Sequence, residues 1–101
     1  MKNLTILGST GSIGVSTLDV VARHPDKFSV TALSAHTRID DLYKQCVQFK
    51  PKFAVVNGAD NAELLNKKIK QAGLPTEVLA GAAALERIAS LPEVDAVMAA
   101  I

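Results

Sequence analysis

Short apolar runs alternate with segments of helical periodicity from one end of the chain to the other. The runs that we predict to be strands are Leu4–Leu7, Phe28–Leu33, Phe53–Val56, Glu77–Leu79 and Ala96–Ala100. Each segment between two of these runs carries apolar residues at helical spacings. Because such alternation is typical of βαβ units, we predict an α/β fold. It would be a doubly wound parallel sheet of about five strands, with right-handed crossovers and helices on both faces.

The apolar spacing also predicts the buried face of each helix. In the first helix, which begins at Ser12, the predicted buried residues are Ile13, Thr17, Val20 and Val21. In the second helix they are Ile39, Leu42, Tyr43 and Cys46. Two pairs have the spacing of helix-capping residues, namely Thr37 with Asp40 and Asp60 with Glu63. Gly73 stands where the third helix should end.

The composition argues against several classes of protein. The chain has 101 residues, 11 Lys and Arg against 10 Asp and Glu, and a net charge of +1, which indicates one domain without a basic nucleic-acid-binding face. The single cysteine cannot form an internal disulfide, and no Cys/His group has zinc-site spacing. No apolar run is long enough to span a membrane, and the N-terminus does not read as a signal peptide. We therefore expect a cytoplasmic protein that binds neither nucleic acid nor membrane.

A glycine-rich turn, Gly8-Ser9-Thr10-Gly11-Ser12-Ile13-Gly14, joins the first predicted strand to the first predicted helix. In dinucleotide-binding turns the first glycine allows a sharp turn, the second lets the backbone approach a diphosphate, and the third lets the helix pack closely. The amides of Gly11, Ser12 and Ile13 would then face the phosphates, with the hydroxyls of Thr10 and Ser12 as further donors. The spacing is one residue longer than the usual pattern, so the alternative is a strand-to-helix turn without a ligand. The position between strand and helix favours a Rossmann-type phosphate site.

The residues after the second strand distinguish NAD from NADP in such folds. An acidic residue there binds the ribose 2′-hydroxyl, whereas a basic residue accepts the 2′-phosphate of NADP. This chain has His36-Thr37-Arg38 there, so we predict a preference for NADP through Arg38. One alternative is that Arg38 is simply an exposed first-turn residue beside a capping Thr37. Another is that Asp40 or Asp41 reaches the ribose.

The remaining candidate residues are weaker. His36 would stack on adenine or bond to ribose, or else be an exposed loop residue. Cys46 lies on the apolar face of its helix, which favours a buried structural thiol over a nucleophile. No set of nucleophile, base and orienting residue can be assembled, and no carboxylate cluster is of the metal-binding type. We therefore predict no catalytic and no metal-binding residue in this chain.

The glycine-rich turn and the following Ser16-Thr17-Leu18-Asp19-Val20-Val21 closely resemble the N-terminus of the 1-deoxy-D-xylulose 5-phosphate reductoisomerase family. The resemblance continues through Gln45-Cys46, Phe49-Lys50-Pro51, Glu77-Val78-Leu79, Gly81 and Val94-Asp95-Ala96-Val97-Met98-Ala99-Ala100-Ile101. It covers the whole chain but only the cofactor domain of a much longer protein. It implies that residues 1–101 are a Rossmann-type NADPH-binding domain truncated after the fifth strand. The last strand, which has no following helix to cover it, agrees with this expectation.

The resemblance implies an NADPH-dependent oxidoreductase of non-mevalonate isoprenoid biosynthesis. The family rearranges 1-deoxy-D-xylulose 5-phosphate to a branched aldehyde and reduces it to 2-C-methyl-D-erythritol 4-phosphate. A bound Mg²⁺ or Mn²⁺ polarises the substrate oxygens. The groups that bind metal and phosphosugar would lie beyond Ile101, and the full-length protein would be a homodimer. The chain alone would then bind NADPH weakly and have no turnover.

The resemblance also assigns residues to the cofactor. It places Thr10, Gly11, Ser12 and Ile13 in contact with NADPH. Three further positions follow the second strand, where the family often has Gly, a basic residue and Asn, and where this chain has His36, Thr37 and Arg38. Ala99 and Ala100 would lie near the nicotinamide ribose. Two other functions share this type of turn: another NAD(P)-dependent dehydrogenase, of the short-chain or semialdehyde type, and a non-enzymatic nucleotide- or CoA-binding module.

Overall fold

The computed structural model describes residues 1–100, in which five strands and four helices alternate. The strands are β1 (Lys2–Leu7), β2 (Phe28–Ser34), β3 (Phe53–Val56), β4 (Glu77–Ala80) and β5 (Ala96–Ala99). The helices are α1 (Ser12–Arg23), α2 (Ile39–Phe49), α3 (Ala59–Gln71) and α4 (Ala82–Ala89). The predicted order of elements is confirmed, with small differences at their ends. Within the described range, no helix has the length and apolar character needed to cross a bilayer.

All five strands run parallel in one sheet, in the order β4-β3-β2-β1-β5. The chain adds β2, β3 and β4 successively on one side of β1 and then returns to place β5 on the other side. A right-handed crossover in the return direction requires its helix to lie on the opposite face of the sheet. The packing agrees, because α1, α2 and α3 cover one face and Ile88 of α4 packs on the other. The predicted doubly wound α/β sheet with helices on both faces is therefore confirmed.

Strand β3 shows how the sheet serves two cores at once. Ala54 and Val56 contribute to the larger core beneath α1, α2 and α3, whereas Phe53 and Val55 contribute to the smaller core beneath α4. Successive side chains of a strand point to opposite faces, so a strand buried on both faces is a continuous apolar run. This packing makes the sheet a firm base for the loops at its carboxyl edge.

The predicted buried face of α1 is right at Val21 and wrong at Ile13 and Val20. The structure buries Gly14, Leu18 and Val21, while Ile13 and Val20 are 64% and 51% exposed. Both sets of residues have helical spacing, so periodicity alone does not choose between them. The rotation of the helix is instead set by close contact between Gly14 and the backbone of the preceding turn.

The predicted capping pairs are also wrong. The residues at the helix N-caps are Gly11, Arg38, Gly58 and Gly81, and no side chain caps any of the four helices in residues 1–100. Thr37 precedes the cap of α2 by one position. Asp60 lies inside the first turn of α3, where its negative charge interacts favourably with the positive end of the helix dipole. The predicted helix end at Gly73 agrees with its φ of 67°, since glycine adopts this left-handed conformation without strain.

Candidate functional site

The candidate site lies where the sheet reverses direction. Strand β1 has β2 on one side and β5 on the other, and the helices that lead to these neighbours cover opposite faces. Such a reversal leaves a crevice at the carboxyl ends of the strands, where open α/β sheets bind ligands. The glycine-rich turn follows β1 at this edge. The end of β5 is beside it, because the amide of Ala100 donates to the carbonyl of Leu7 at 2.8 Å.

The first part of the turn is tied to β2. Gly8 has a φ of 77°, which glycine alone adopts readily, and its amide donates to Ser34 Oγ at 3.0 Å. The amide of Ser9 donates to the carbonyl of Ser34 at 2.8 Å. A Cβ at Gly14 would lie 2.3 Å from the Gly8 carbonyl oxygen, so the first turn of α1 rests directly on this segment. The predicted role of Gly8 is confirmed, whereas Gly14 lets the helix pack closely on the turn residues Gly8 and Ser9 and not on the sheet itself.

The start of α1 leaves amides free for a ligand. The carbonyl of Gly11 accepts the first bond of the helix, from the amide of Val15 at 2.9 Å. Within residues 1–100 the amides of Ser12, Ile13 and Gly14 have no acceptor, as expected for an uncapped helix. The predicted free amide of Gly11 is wrong, since it donates to the carbonyl of Gly8 at 3.3 Å. All four helices lack a side-chain cap, so a missing cap alone does not mark a ligand site. The amides of α1 differ from those of the other helices because α1 begins where the sheet reverses.

The four residues predicted at the diphosphate lie together at this edge. Thr10 is partly exposed, and Gly11, Ser12 and Ile13 are exposed. A Cβ at Gly11 would meet nothing closer than the Gly8 carbonyl oxygen at 3.7 Å, which is an ordinary contact. The fold therefore does not itself require glycine at this position.

The second group of predicted residues follows β2 at the same edge. The amide of Asn57, after β3, donates to the carbonyl of His36 at 2.9 Å and so extends the pairing of the two strands into the loop. Asn57 Nδ2 is also 3.4 Å from His36 Nε2. His36, Thr37 and Arg38 are all exposed, and Arg38 is the N-cap residue of α2.

The charged groups near Arg38 are mixed in sign. Arg38 Nη1 lies 4.0 Å from Asp41 Oδ2, and Lys68 Nζ lies 3.4 Å from Asp40 Oδ1. These residues line an open groove of about 650 Å³ together with Thr37 and others. Both acids that sequence analysis left as alternatives at the ribose thus have a cation nearby. Each pair is largely exposed, so each interaction is weak and open to exchange with a ligand phosphate.

The thiol predicted to be structural is buried. Cys46 is 0% exposed, and burial raises the pKa of its thiol to about 12, because the thiolate would lose its solvation. A group in this state is a poor nucleophile at neutral pH.

Sequence analysis missed a polar network behind the turn. Gln45 of α2 bonds to Ser9, and Ser34 at the end of β2 bonds to both Gly8 and Ser9. The available signal was a polar residue one helical turn after the buried Leu42, on the side of α2 that faces the core. A single polar residue at such a position predicts a hydrogen bond but not its partner.

The parallel sheet, its reversal at β1 and the glycine turn at that point define a Rossmann-type nucleotide-binding domain. Comparison with models of protein families shows which family this is. Residues 4–101 match the model of 1-deoxy-D-xylulose 5-phosphate reductoisomerase, so the chain belongs to that family. The resemblance inferred from the sequence is confirmed.

Individual relatives agree over the whole chain. The 1-deoxy-D-xylulose 5-phosphate reductoisomerases of Nitrosospira multiformis and Methylococcus capsulatus are 59% identical over 101 residues and 60% identical over 102 residues. Both alignments include all of this chain, which spans 26% of the length of either relative. The chain therefore corresponds to about a quarter of these proteins.

Solved structures confirm the fold. A crystal structure of DOX-P reductoisomerase in complex with NADPH, fosmidomycin and magnesium matches with a TM-score of 0.95 at 40% identity, over 100% of this chain and 24% of that one. The reductoisomerase from Zymomonas mobilis in complex with NADPH matches with a TM-score of 0.90 at 38% identity, over 99% of this chain and 26% of that one.

Proposed function

We propose that this chain is the NADPH-binding domain, residues 1–101, of an enzyme that converts 1-deoxy-D-xylulose 5-phosphate to 2-C-methyl-D-erythritol 4-phosphate. One observation carries the proposal: the amides of Ser12 and Ile13 are free at the reversal point of the sheet, in a chain of the reductoisomerase family. NADPH, when bound, supplies the hydride for the reduction. The residues of this chain bind and orient it.

The diphosphate of the cofactor would lie over the start of α1. The amides of Ser12 and Ile13 donate to its oxygens, and the positive end of the α1 dipole favours its charge. The hydroxyls of Thr10 and Ser12 add donors at the same place. Gly11 fits this arrangement because the protein itself leaves space for a Cβ there, so the missing side chain is explained by the close approach of a ligand.

The adenosine end of the cofactor would lie over the carboxyl end of β2. Arg38 presents an exposed guanidinium whose contact with Asp41 is long, so its planar donors are available to a 2′-phosphate. Thr37 adds a hydroxyl beside it, and His36 stacks on adenine or bonds to ribose. This arrangement favours NADPH over NADH.

The remaining parts of the reaction belong to residues outside this chain. Residues 1–100 hold no group of three His, Cys, Asp or Glu side chains that could bind a metal ion. We propose that Mg²⁺ or Mn²⁺ and the phosphosugar are bound by the part of the enzyme that the longer relatives possess in addition. Ala99 and Ala100, at the end of β5 beside β1, would lie near the nicotinamide ribose. The whole enzyme would be a cytoplasmic homodimer that contacts neither nucleic acid nor membrane.

Ligand-dependent thermal unfolding tests the cofactor assignment. NADPH, NADH, CoA and ATP are compared at equal concentrations, and NADPH should raise the unfolding midpoint most. At a concentration of about 100 Kd it should add roughly 2.7 kcal/mol to the free energy of unfolding. Protection by CoA or ATP without protection by NADPH would contradict the proposal and favour a nucleotide-binding module.

A kinetic assay tests the division of labour. The chain alone should not oxidise NADPH when supplied with 1-deoxy-D-xylulose 5-phosphate and Mg²⁺ or Mn²⁺. Metal-dependent turnover by residues 1–101 would show that the substrate and metal groups are within this chain.

A further inference from the structure

We propose that Gln45 is a positioning residue for the phosphate-binding turn. Its side-chain amide holds Ser9 in an orientation that leaves the amide of Ile13, at the start of α1, available to a ligand. The identity of the ligand rests on the proposed function, whereas the contacts of Gln45 do not. Gln45 lies on α2, 36 residues further along the chain than Ser9.

The Gln45 amide contacts two different groups of Ser9. Gln45 Nε2 donates to the backbone carbonyl of Ser9 at 2.8 Å, and the Ser9 hydroxyl donates to Gln45 Oε1 at 2.7 Å. The two contacts fix the orientation of the amide, because a carbonyl can only accept and must face the NH₂ group. Ser9 is 0% exposed and Gln45 is partly buried, so solvent does not reach the Ser9 side of either contact.

A third contact holds the backbone amide of Ser9. This amide donates to the carbonyl of Ser34 at 2.8 Å. The Ser9 hydroxyl is also 3.2 Å from this carbonyl, but it has one proton and the Gln45 oxygen is nearer. Ser9 is therefore held between the end of β2 and the body of α2, with its backbone donor, backbone acceptor and hydroxyl all engaged.

The bond to the Ser9 carbonyl has a consequence for α1. An α-helix extended towards its N-terminus would bond the amide of Ile13 to the carbonyl of Ser9, four residues earlier. In the structure this carbonyl accepts from Gln45 instead, and the Ile13 amide has no acceptor within residues 1–100. The extended backbone of Gly11 already starts α1 at Ser12. The contact from Gln45 occupies the carbonyl that a longer helix would offer to the Ile13 amide, so this donor stays available to a ligand. Binding groups that are held in place before the ligand arrives bind it more tightly.

Three variants separate positioning from mere support of the fold. Gln45→Met keeps the length of the side chain and removes both bonds. Gln45→Glu keeps the acceptor for the Ser9 hydroxyl, and it restores the donor to the Ser9 carbonyl only when the carboxyl is protonated. The control is Gln48→Glu, which makes the same charge change on an exposed residue of the same helix.

The first measurement is the NADPH dissociation constant, determined at a temperature where circular dichroism shows each variant to be folded. Gln45→Met should raise the constant about tenfold. This is the effect expected if the lost preorganisation of the turn equals the net free energy of about one hydrogen bond. Gln45→Glu should raise it similarly at pH 8 and, relative to the wild type at each pH, recover as the pH falls and the partly buried carboxyl is protonated. Gln48→Glu should bind NADPH like the wild type at pH 8 and at the lower pH where Gln45→Glu recovers. Wild-type affinity in folded Gln45→Met, or no recovery at low pH in Gln45→Glu, would overturn the proposal.

The second measurement needs no ligand. Amide NMR spectra of the wild type and of Gln45→Met are compared in the absence of nucleotide. The shifts and exchange rates of the Ser9, Ser12 and Ile13 amides should change more than those of residues on β4, which is remote from Gln45. Unchanged amides at these three positions would overturn the proposal. If the wild type itself fails to bind NADPH, the proposed function fails, and this second measurement still decides whether Gln45 positions the turn.

Discussion

Replacing Gly11 by Ala should leave the fold intact and weaken cofactor binding, because this glycine has no steric role within the protein. Its φ of −76° and ψ of 171° are an extended conformation that any residue adopts. The added Cβ would lie 3.7 Å from the Gly8 carbonyl oxygen, an ordinary van der Waals distance. A Gly to Ala change at such a position adds about 0.4–1 kcal/mol to the free energy of unfolding, because the unfolded chain loses conformational freedom.

Replacing Gly14 by Ala should have the opposite effect on the fold. The new Cβ would lie 2.3 Å from the Gly8 carbonyl oxygen and 2.6 Å from Ser9 Cα, so the backbone of the turn would have to move. Alanine gains about 1 kcal/mol over glycine inside a helix, whereas overpacking costs typically about 1–3 kcal/mol and occasionally more. Since the clash is with backbone and not with a flexible side chain, we expect a cost at the upper end of this range and a net loss of about 2 kcal/mol.

Urea unfolding followed by circular dichroism and NADPH titration of the folded protein measure the two effects separately. Gly11→Ala should be at least as stable as the wild type and bind NADPH about tenfold more weakly or worse, since its Cβ occupies the path of the diphosphate. Gly14→Ala should unfold at a clearly lower urea concentration. Wild-type affinity in Gly11→Ala would refute the close approach of the ligand, and wild-type stability in Gly14→Ala would refute the steric argument.

Three further predictions concern single side chains. Arg38→Ala should lower the preference for NADPH over NADH by about tenfold in titrations with both cofactors, because a charge-assisted hydrogen bond to the 2′-phosphate is lost. The control variant Arg23→Ala, on α1, should leave the preference unchanged. An unchanged preference in Arg38→Ala would remove Arg38 from the site. The buried Cys46 should react with a thiol reagent at pH 8 only after unfolding, and rapid labelling of the native protein would contradict its raised pKa. A hydrogen bond from Lys52 lowers the pKa of Glu93, so this carboxyl stabilises the fold above its unfolded-state pKa and loses that contribution as the pH falls through its folded-state value. Lys52→Met should therefore raise the Glu93 pKa in an NMR titration and reduce the loss of stability in acid; an unmoved pKa would contradict the assignment.

The features that the sequence predicted well are determined locally. Strand β3 matches its predicted span because a run of four apolar residues, Phe53–Val56, is bounded by turn residues and is buried on both faces. The glycine turn was recognisable because its three glycines follow a strand and precede a helix. Each of these signals is carried by neighbouring residues.

The features that it predicted poorly depend on distant parts of the chain. Ile13 and Leu18 are both spaced to face a core, and only the contact of Gly14 with the turn shows that Leu18 is the buried one. The Thr37–Asp40 pair failed because a shift of one residue in the start of α2 removes the capping geometry. The bonds between Gln45 and Ser9 join two elements that only the assembled sheet brings together.

The two hydrogen bonds that Ser34 accepts from the glycine turn fix the distance between this turn and the loop after β2. The Ser34 hydroxyl accepts from the amide of Gly8 and the Ser34 carbonyl accepts from the amide of Ser9, and His36 follows only two residues later. The interval between the diphosphate end and the adenosine end of the proposed site is therefore set before any ligand arrives. A dinucleotide whose two ends match this interval would bind at both ends of the site, while its translational and rotational entropy is lost only once. A molecule with the same two groups on a shorter or longer connection would be held by one end alone, so the site would select its ligand by span as well as by charge.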